Sequence, residues 1–354
     1  MMATELRRDA SGFTLIELLI ALAVTLVITG AALGAFMQAG KANEAAALIT
    51  GMDDSLRTGM NLVVRDLIQT GQGIPTGGIP LPTGGTAAPV NRPSPPNQNY
   101  TFPVAWTSLP AVIPGVGLGP AIDAGPATDM ITILYEDTTL PLNQVPLNDP
   151  ATPGSSISPD GSWMTVDPNV LVISNVPGAI MAGDLLMFSN ALGNALQLVT
   201  RTDGNQTIFF DDPDALRLNQ RAAATQGTIL QLQSPPGTFP PTTATRVQMV
   251  SYYVDNVLDP TRPRLTRQIN NGPRRAVAFS FENFQVSYDL VDGVNNPTNV
   301  KEPVPPYTEN QIRKVNLFLA ARSGTAFSQT RDFFRNNLAT QVSLRSMAFV
   351  DRYQ

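Results

Sequence analysis

Three features of this chain predict an α+β fold in which one long N-terminal helix packs on a mostly antiparallel β-sheet head. The first 74 residues contain no proline, whereas all 31 prolines lie between Pro75 and Pro306. Inside the proline-free stretch, Leu18 to Gly40 form a run of 23 uncharged residues. From residue 128 onward, short runs rich in β-branched and aromatic residues alternate with polar positions between turn signals.

The helix comes first. An interior proline removes a helical hydrogen bond and clashes with the preceding turn, so its absence permits one continuous helix over residues 13–72. Residues 13–40 are its transmembrane half, because 23 uncharged residues at about 1.5 Å each cover a bilayer core of about 30 Å. Residues 41–72 are its amphipathic half. Ala45, Leu48, Ile49, Met52, Leu56, Met60, Val63, Val64 and Leu67 recur at spacings of three and four. Glu44, Asp53, Asp54, Arg57, Arg65 and Asp66 are expected on other faces. Gly71, Gly73 and Pro75 mark the stop.

Residues 73–127 form a Pro/Gly-rich insert with clusters such as Gly77-Gly78, Gly84-Gly85 and Pro93-Ser94-Pro95-Pro96. Such a segment holds neither a long helix nor a central strand. It is either partly disordered or an extended coat over the head. As to role, a tolerated insertion is a simpler account than an adhesive surface.

Residues 128–354 are the head. Strands are expected at 130–135, 170–174, 185–189, 195–200, 207–210, 228–232, 246–254, 265–269, 276–290, 313–321 and 342–344. Phe284, Val286, Tyr288 and Leu290 share one face by their period of two, as do Val315, Leu317, Leu319 and Ala321. Asn190-Ala191-Leu192-Gly193-Asn194 reads as a hairpin loop. Short connections without helical runs make the sheet antiparallel.

Composition narrows the function. The net charge of -5 shows no basic surface for nucleic acid. Cysteine and histidine are both absent. That removes disulfides, thiolate metal sites and the usual histidine base of a serine or cysteine nucleophile. No enzyme activity, cofactor or metal is expected. The dense carboxylates Asp203, Asp211, Asp212 and Asp214, with Asn205, match no calcium loop and sit in ordinary turn signals. Arg262, Arg264, Arg267, Arg274 and Arg275 read as a solvated loop surface.

One residue does not suit a plain anchor. Glu17 lies inside the apolar run Phe13 to Ile20, where an acid costs about 2.5–3.5 kcal/mol at mid-membrane depth and less near the interface. It either snorkels to the surface or meets a cation at its own depth. Cleavage between Gly12 and Phe13 would create such a cation, an α-ammonium four residues away.

The segment Ser11-Gly12-Phe13-Thr14-Leu15-Ile16-Glu17-Leu18-Leu19-Ile20-Ala21-Leu22 resembles the type IV prepilin cleavage and methylation motif. The resemblance implies a pilin-like fold and a leader peptide, residues 1–12, that prepilin peptidase removes after Gly12. It also implies N-methylation of Phe13, and pairing of Glu17 with a neighbouring subunit's N-terminus during filament assembly. An ordinary secretory signal cut near Ala35 fits poorly, given a charge in the apolar run and a helix that continues past it. Gly30 and Gly34 form a small-xxx-small pair suited to helix packing.

In the head, Thr128–Tyr135, Ser251–Val254, Leu265–Arg267, Phe284–Tyr288, Arg313–Arg322 and Val342–Arg345 resemble, in order, the strands of PilW-type minor pilins. Many pilins close a C-terminal loop with a disulfide that this chain cannot make. The expected role is a minor pilin that helps initiate or cap type IV pilus assembly. The alternatives are a large pseudopilin of a type II secretion system and a single-span periplasmic binding protein. The expected partners are prepilin peptidase, other minor and major pilins, and inner-membrane lipid. Arg7 and Arg8 place the N-terminus in the cytoplasm and the head in the periplasm.

Overall fold

The computed structural model describes residues 12–204 and 206–348. Helix α1 runs from Leu15 to Gln69, 55 residues, so it is about 80 Å long. Only its second half meets the head. Met52, Leu56, Gly59, Met60, Val63, Asp66 and Leu67 are buried, at spacings of three and four broken by the adjacent pairs 59/60 and 66/67. The apolar members of the expected stripe bury from Met52 on, except Val64, which is half-buried. Ala45 and Leu48 are half-buried, and Ile49 is exposed.

The chain leaves α1 through Gly71, whose φ of +81° suits a residue without a Cβ. The Gly71 N–H donates to the Leu134 carbonyl at 2.9 Å and fastens the helix end to the sheet. A two-residue ribbon follows, β1 (Ile79–Pro80) with β2 (Ser108–Leu109). Next come β3 (Val112–Ile113) and β4 (Ile131–Glu136). β5 (Ser156–Ile157) and β6 (Trp163–Thr165) pair with each other. β7 (Leu185–Asn190) and β8 (Gly193–Leu198) form a hairpin. β9 (Arg201–Thr202) and β10 (Thr207–Phe209) join β5 and β6 in a small four-stranded sheet. The longest strand, β11 (Thr243–Asp255), pairs with β7, β4 and β12 (Arg264–Ile269), and β13 (Arg275–Phe279) closes that edge. β14 (Phe281–Leu290), β15 (Ile312–Arg322) and β16 (Arg335–Ser343) make a separate three-stranded sheet. A four-residue helix, α2 (Arg345–Ala348), ends the described chain.

Every strand pair among the described residues is antiparallel, and the fold is the expected helix on a β-rich head. Several expectations need correction. Residues 170–174 form no strand, and 229–232 turn as a 3-10 helix. The expected strand over 276–290 is two strands in two sheets. The chain breaks at Ser280, held at φ +62°, which lets Phe281 turn inward toward the helix. The last strand is longer than the expected 342–344, because polar Asn336, Asn337 and Gln341 hide its pattern. The hairpin after Leu185 turns at Ala191-Leu192 alone, with Asn190 and Gly193 already paired.

Three apolar clusters hold the head. The first lies between α1 and the faces of β4, β11, β12, β14 and β15, where Leu56, Val63, Leu67, Tyr252, Phe281 and Phe284 are fully buried. Each such side chain contributes about 1.5–3 kcal/mol by leaving water. The second lies around the small sheet, with Phe188 and Phe210 edge to face at 5.4 Å. The third lies beneath the Pro/Gly-rich segment, which is a packed coat: Ile79, Leu81, Val90, Phe102 and Leu109 are buried there. Arg92 ties this coat down. Its buried guanidinium donates to the Pro114 carbonyl at 2.6 Å, the Ile113 carbonyl at 3.0 Å and Thr132 Oγ1 at 3.3 Å. Burial holds its pKa down to about 10.

Candidate functional site: the helix cap, its exposed span and its grip on the head

The beginning of α1 is organised by two side chains. Thr14 is the N-cap, and its hydroxyl accepts from the Glu17 N–H at 3.3 Å. The Glu17 carboxylate reaches back and accepts from the Thr14 N–H at 3.0 Å and the Thr14 hydroxyl at 2.9 Å. This reciprocal arrangement is a capping box, which satisfies donors that the first turn of a helix otherwise leaves open. Glu17 thus has partners within its own chain, which its place in the apolar run did not suggest. The Thr-x-x-Glu spacing was the signal that could have found them.

Gly12 and Phe13 precede the cap in exposed, non-helical chain, and Phe13 is 86% exposed. Residues 1–11 of the expected leader lie outside the described residues. From Leu15 to Phe36 the apolar side chains of α1 face outward, including Leu18, Leu22, Leu26, Val27, Leu33 and Phe36. The helix is long and apolar enough to cross a membrane, and no part of its most apolar window is buried in the chain. Gly30 and Gly34 have nothing within 4 Å of where a Cβ would stand. They are smooth, open positions on an uncovered rod.

The grip on the head begins where the charges begin. Glu44, half-buried, accepts from the Ser328 N–H at 3.0 Å and from the Ser328 hydroxyl. Asp53 accepts from Asn336 Nδ2 at 2.8 Å. Both acids therefore face the β15–β16 hairpin. Gly59 sits so close to the sheet that a Cβ would stand 2.9 Å from the Phe281 ring and 3.1 Å from Leu265.

Asp66, expected on a polar face, is instead 1% exposed on the core face. Its carboxylate accepts from the Tyr252 hydroxyl at 2.6 Å and from Arg267 Nε at 2.6 Å. Burial works against the Arg267 charge, but the hydrogen bond to Asp66 together with the charges of Asp66, Tyr252 and Tyr135 outweighs it and raises its pKa. Burial, reinforced by the Asp66 charge, pushes Tyr135 up to about 12 and Tyr252 higher still. Arg264 likewise holds the buried Asp255 at 2.6 Å, and Arg274 donates to the Ser94 carbonyl at 3.2 Å. Of the five arginines expected on a solvated surface, Arg262, Arg274 and Arg275 are exposed, whereas Arg264 and Arg267 are half-buried in ion pairs with Asp255 and Asp66. Across β11 and β12, Tyr252 stands opposite Arg267 and Asp255 opposite Arg264.

The acidic turn around residue 203 is spent locally. Asp203 accepts from the Thr207 N–H, Asp211 pairs with Arg201 at 3.2 Å, and Asp214 accepts from the Leu216 and Asn219 N–H groups. Asn205 lies outside the described residues. Among the described residues no three carboxylates gather as a metal-holding group.

Residues 7–33 match the family model described as the prokaryotic N-terminal methylation motif. That match places the motif on the cap and the first half of the exposed span. No curated protein matches the chain. Among solved structures, a type IV-like pilin from Thermus thermophilus aligns at 11% identity over 48% of this chain and 87% of its own. Its TM-score of 0.18 is too low to carry an argument.

Proposed function

We propose that this chain is a minor subunit of a type IV pilus, of the PilW type, which helps to initiate or cap the filament. The observation that carries this reading is an uncovered apolar rod with the methylation motif at its tip. A rod of this kind needs lipid or neighbouring helices, because among the described residues no part of its own chain covers it. Prepilin peptidase cuts between Gly12 and Phe13, and Phe13 is then methylated. Arg7 and Arg8 stay in the cytoplasm, and the head from Lys41 onward lies in the periplasm until a filament carries it outward. Few copies are expected, since a head this large on one helix would crowd its neighbours at every filament position.

Mass spectrometry of the mature N-terminus tests processing. A methylated Phe13 is expected from a host with the peptidase; an intact Met1, or a start near Phe36, overturns it. A reporter fused after Gln354 and active only in the cytoplasm would overturn the topology. Recovery in sheared filaments separates both the pilus role and that of a secretion pseudopilin from a single-span periplasmic binding protein, whose helix joins no filament.

A further inference from the structure

The part of the head nearest the apolar span is the loop joining β15 to β16. Ser328 in this loop is bound to Glu44 through its N–H and hydroxyl, and Asn336 at the start of β16 is bound to Asp53. The two helix contacts are nine residues apart, about 13 Å along the axis, so the hairpin points down α1 toward the span. Glu44 is four residues, about 6 Å, beyond Gly40, where the uncharged run ends. The headgroup layer on each side of a bilayer core is about 5–8 Å thick. A loop fixed at the height of Glu44 is therefore fixed at the height of the headgroups.

From this we infer that the β15–β16 loop rests on the phospholipid headgroups of the periplasmic leaflet and sets the depth and tilt of the head. This rests on the reading of α1 as a membrane anchor. The loop is built for such a contact. It runs from Ser323 to Phe334 and is folded on itself: the Phe327 N–H donates to the Asp332 carbonyl at 2.9 Å, and the Arg331 N–H donates to the Phe327 carbonyl at 2.8 Å. Phe327 and Phe334 pack ring to ring at 5.5 Å, and Arg322 lies 4.4 Å from the centre of the Phe333 ring. These three rings are only half-buried. Arg331, exposed at the turn with φ +61°, joins Lys41 as a cation at this level. Half-covered aromatic rings beside cations suit the boundary between acyl chains and phosphates.

The absence of cysteine gives a clean test, because one introduced thiol labels one position. Full-length protein carrying Ile28→Cys, Gln329→Cys or Thr76→Cys is labelled with a fluorophore and placed in vesicles of phosphatidylethanolamine and phosphatidylglycerol. Lipids bearing a quencher on the headgroup or deep in the acyl chain are added separately. Headgroup quenching several-fold stronger at Gln329 than at Thr76 is expected, with acyl-chain quenching confined to Ile28. Adding Glu44→Ala, which releases Ser328, should lower the Gln329 signal. If Ile28 is quenched but Gln329 behaves like Thr76, the loop stands clear of the membrane and this inference fails while the anchor stands. If Ile28 is not quenched either, the anchor reading fails with it.

Discussion

Asp66 and Arg267 meet at 2.6 Å although 201 positions separate them in the chain, and their contact joins helix α1 to strand β12 inside the core. The Tyr252 hydroxyl completes the site from β11. A paired, hydrogen-bonded acid can be buried where an unpaired one cannot. This ion pair fixes the register of the helix on the head together with the apolar stripe from Met52 to Leu67 and the contacts of Glu44 and Asp53.

Removing the acid alone should be costly. Asp66→Ala leaves the half-buried Arg267 guanidinium with only the Tyr252 and Tyr135 hydroxyls, and breaking such a pair costs up to about 3–5 kcal/mol. Chemical denaturation of the detergent-solubilised protein should show that loss for Asp66→Ala, and a smaller one for Asp66→Leu combined with Arg267→Met. Equal stability of the wild type and Asp66→Ala would show that the pair contributes nothing.

The glycines of α1 should separate folding from assembly. Gly59→Val places branched carbons against Phe281 and Leu265, and overpacking of this kind costs about 1–3 kcal/mol. Gly30→Val and Gly34→Val meet nothing in the chain, so the melting temperature of the head should not fall. Those two variants should instead reduce recovery in filaments, where the small pair admits a neighbouring helix. Unchanged recovery would remove the packing role of Gly30 and Gly34.

Alkaline pH should unfold the head in a defined window. Tyr135 and Tyr253 are raised from the ordinary 10.0 to about 12, and Tyr252 and Tyr288 further, each chiefly by burial. A group whose folded pKa is raised contributes stability that is complete below the unfolded value and is lost as pH climbs toward the folded one. Denaturant stability should thus hold up to about pH 10 and fall between about 10 and 12. Tyrosinate absorbance should rise together with loss of the fold; full ionisation of all seven tyrosines in a still-folded head would contradict this.

Glu17 now has two separable jobs to test. Glu17→Ala removes both the cap and the charge, whereas Glu17→Gln keeps a side chain able to accept from Thr14. If pairing with a neighbour's N-terminal ammonium matters, both variants should be cut after Gly12 and inserted normally, yet both should be depleted from sheared filaments. Loss with Glu17→Ala alone would assign the residue to capping. Wild-type recovery of both would leave it a residue of the membrane interface. Because a subunit at the extreme tip has no neighbour ahead to pair with, depletion of both variants would place this subunit behind the tip.

Local chemistry was legible because its causes are local. The absence of proline before Pro75, the uncharged run to Gly40 and the period of two around Phe284 and Val315 each act through neighbours a few residues away. The helix, the span and the main strands followed from them. Thr14 and Glu17 were equally local, and their capping box was there to be read.

The sequence by itself determined a long helix, apolar and uncharged at one end and amphipathic at the other, ahead of an antiparallel head. Only the tertiary structure decided which acids of the helix are buried, that residues 73–127 coat the core, and that Glu44 and Asp53 hold the hairpin. The reason is that these outcomes depend on partners far away in the chain. Asp66 follows Val63 by three residues and Gly59 by seven, at the edge of the buried stripe, but a carboxylate stays there only because Tyr252 and Arg267 arrive from β11 and β12 to satisfy it. Arg92 likewise reads as a loop residue until the carbonyls of Ile113 and Pro114 are brought beneath it. A charge enters the core only where the fold supplies its partner, and no window of sequence contains both.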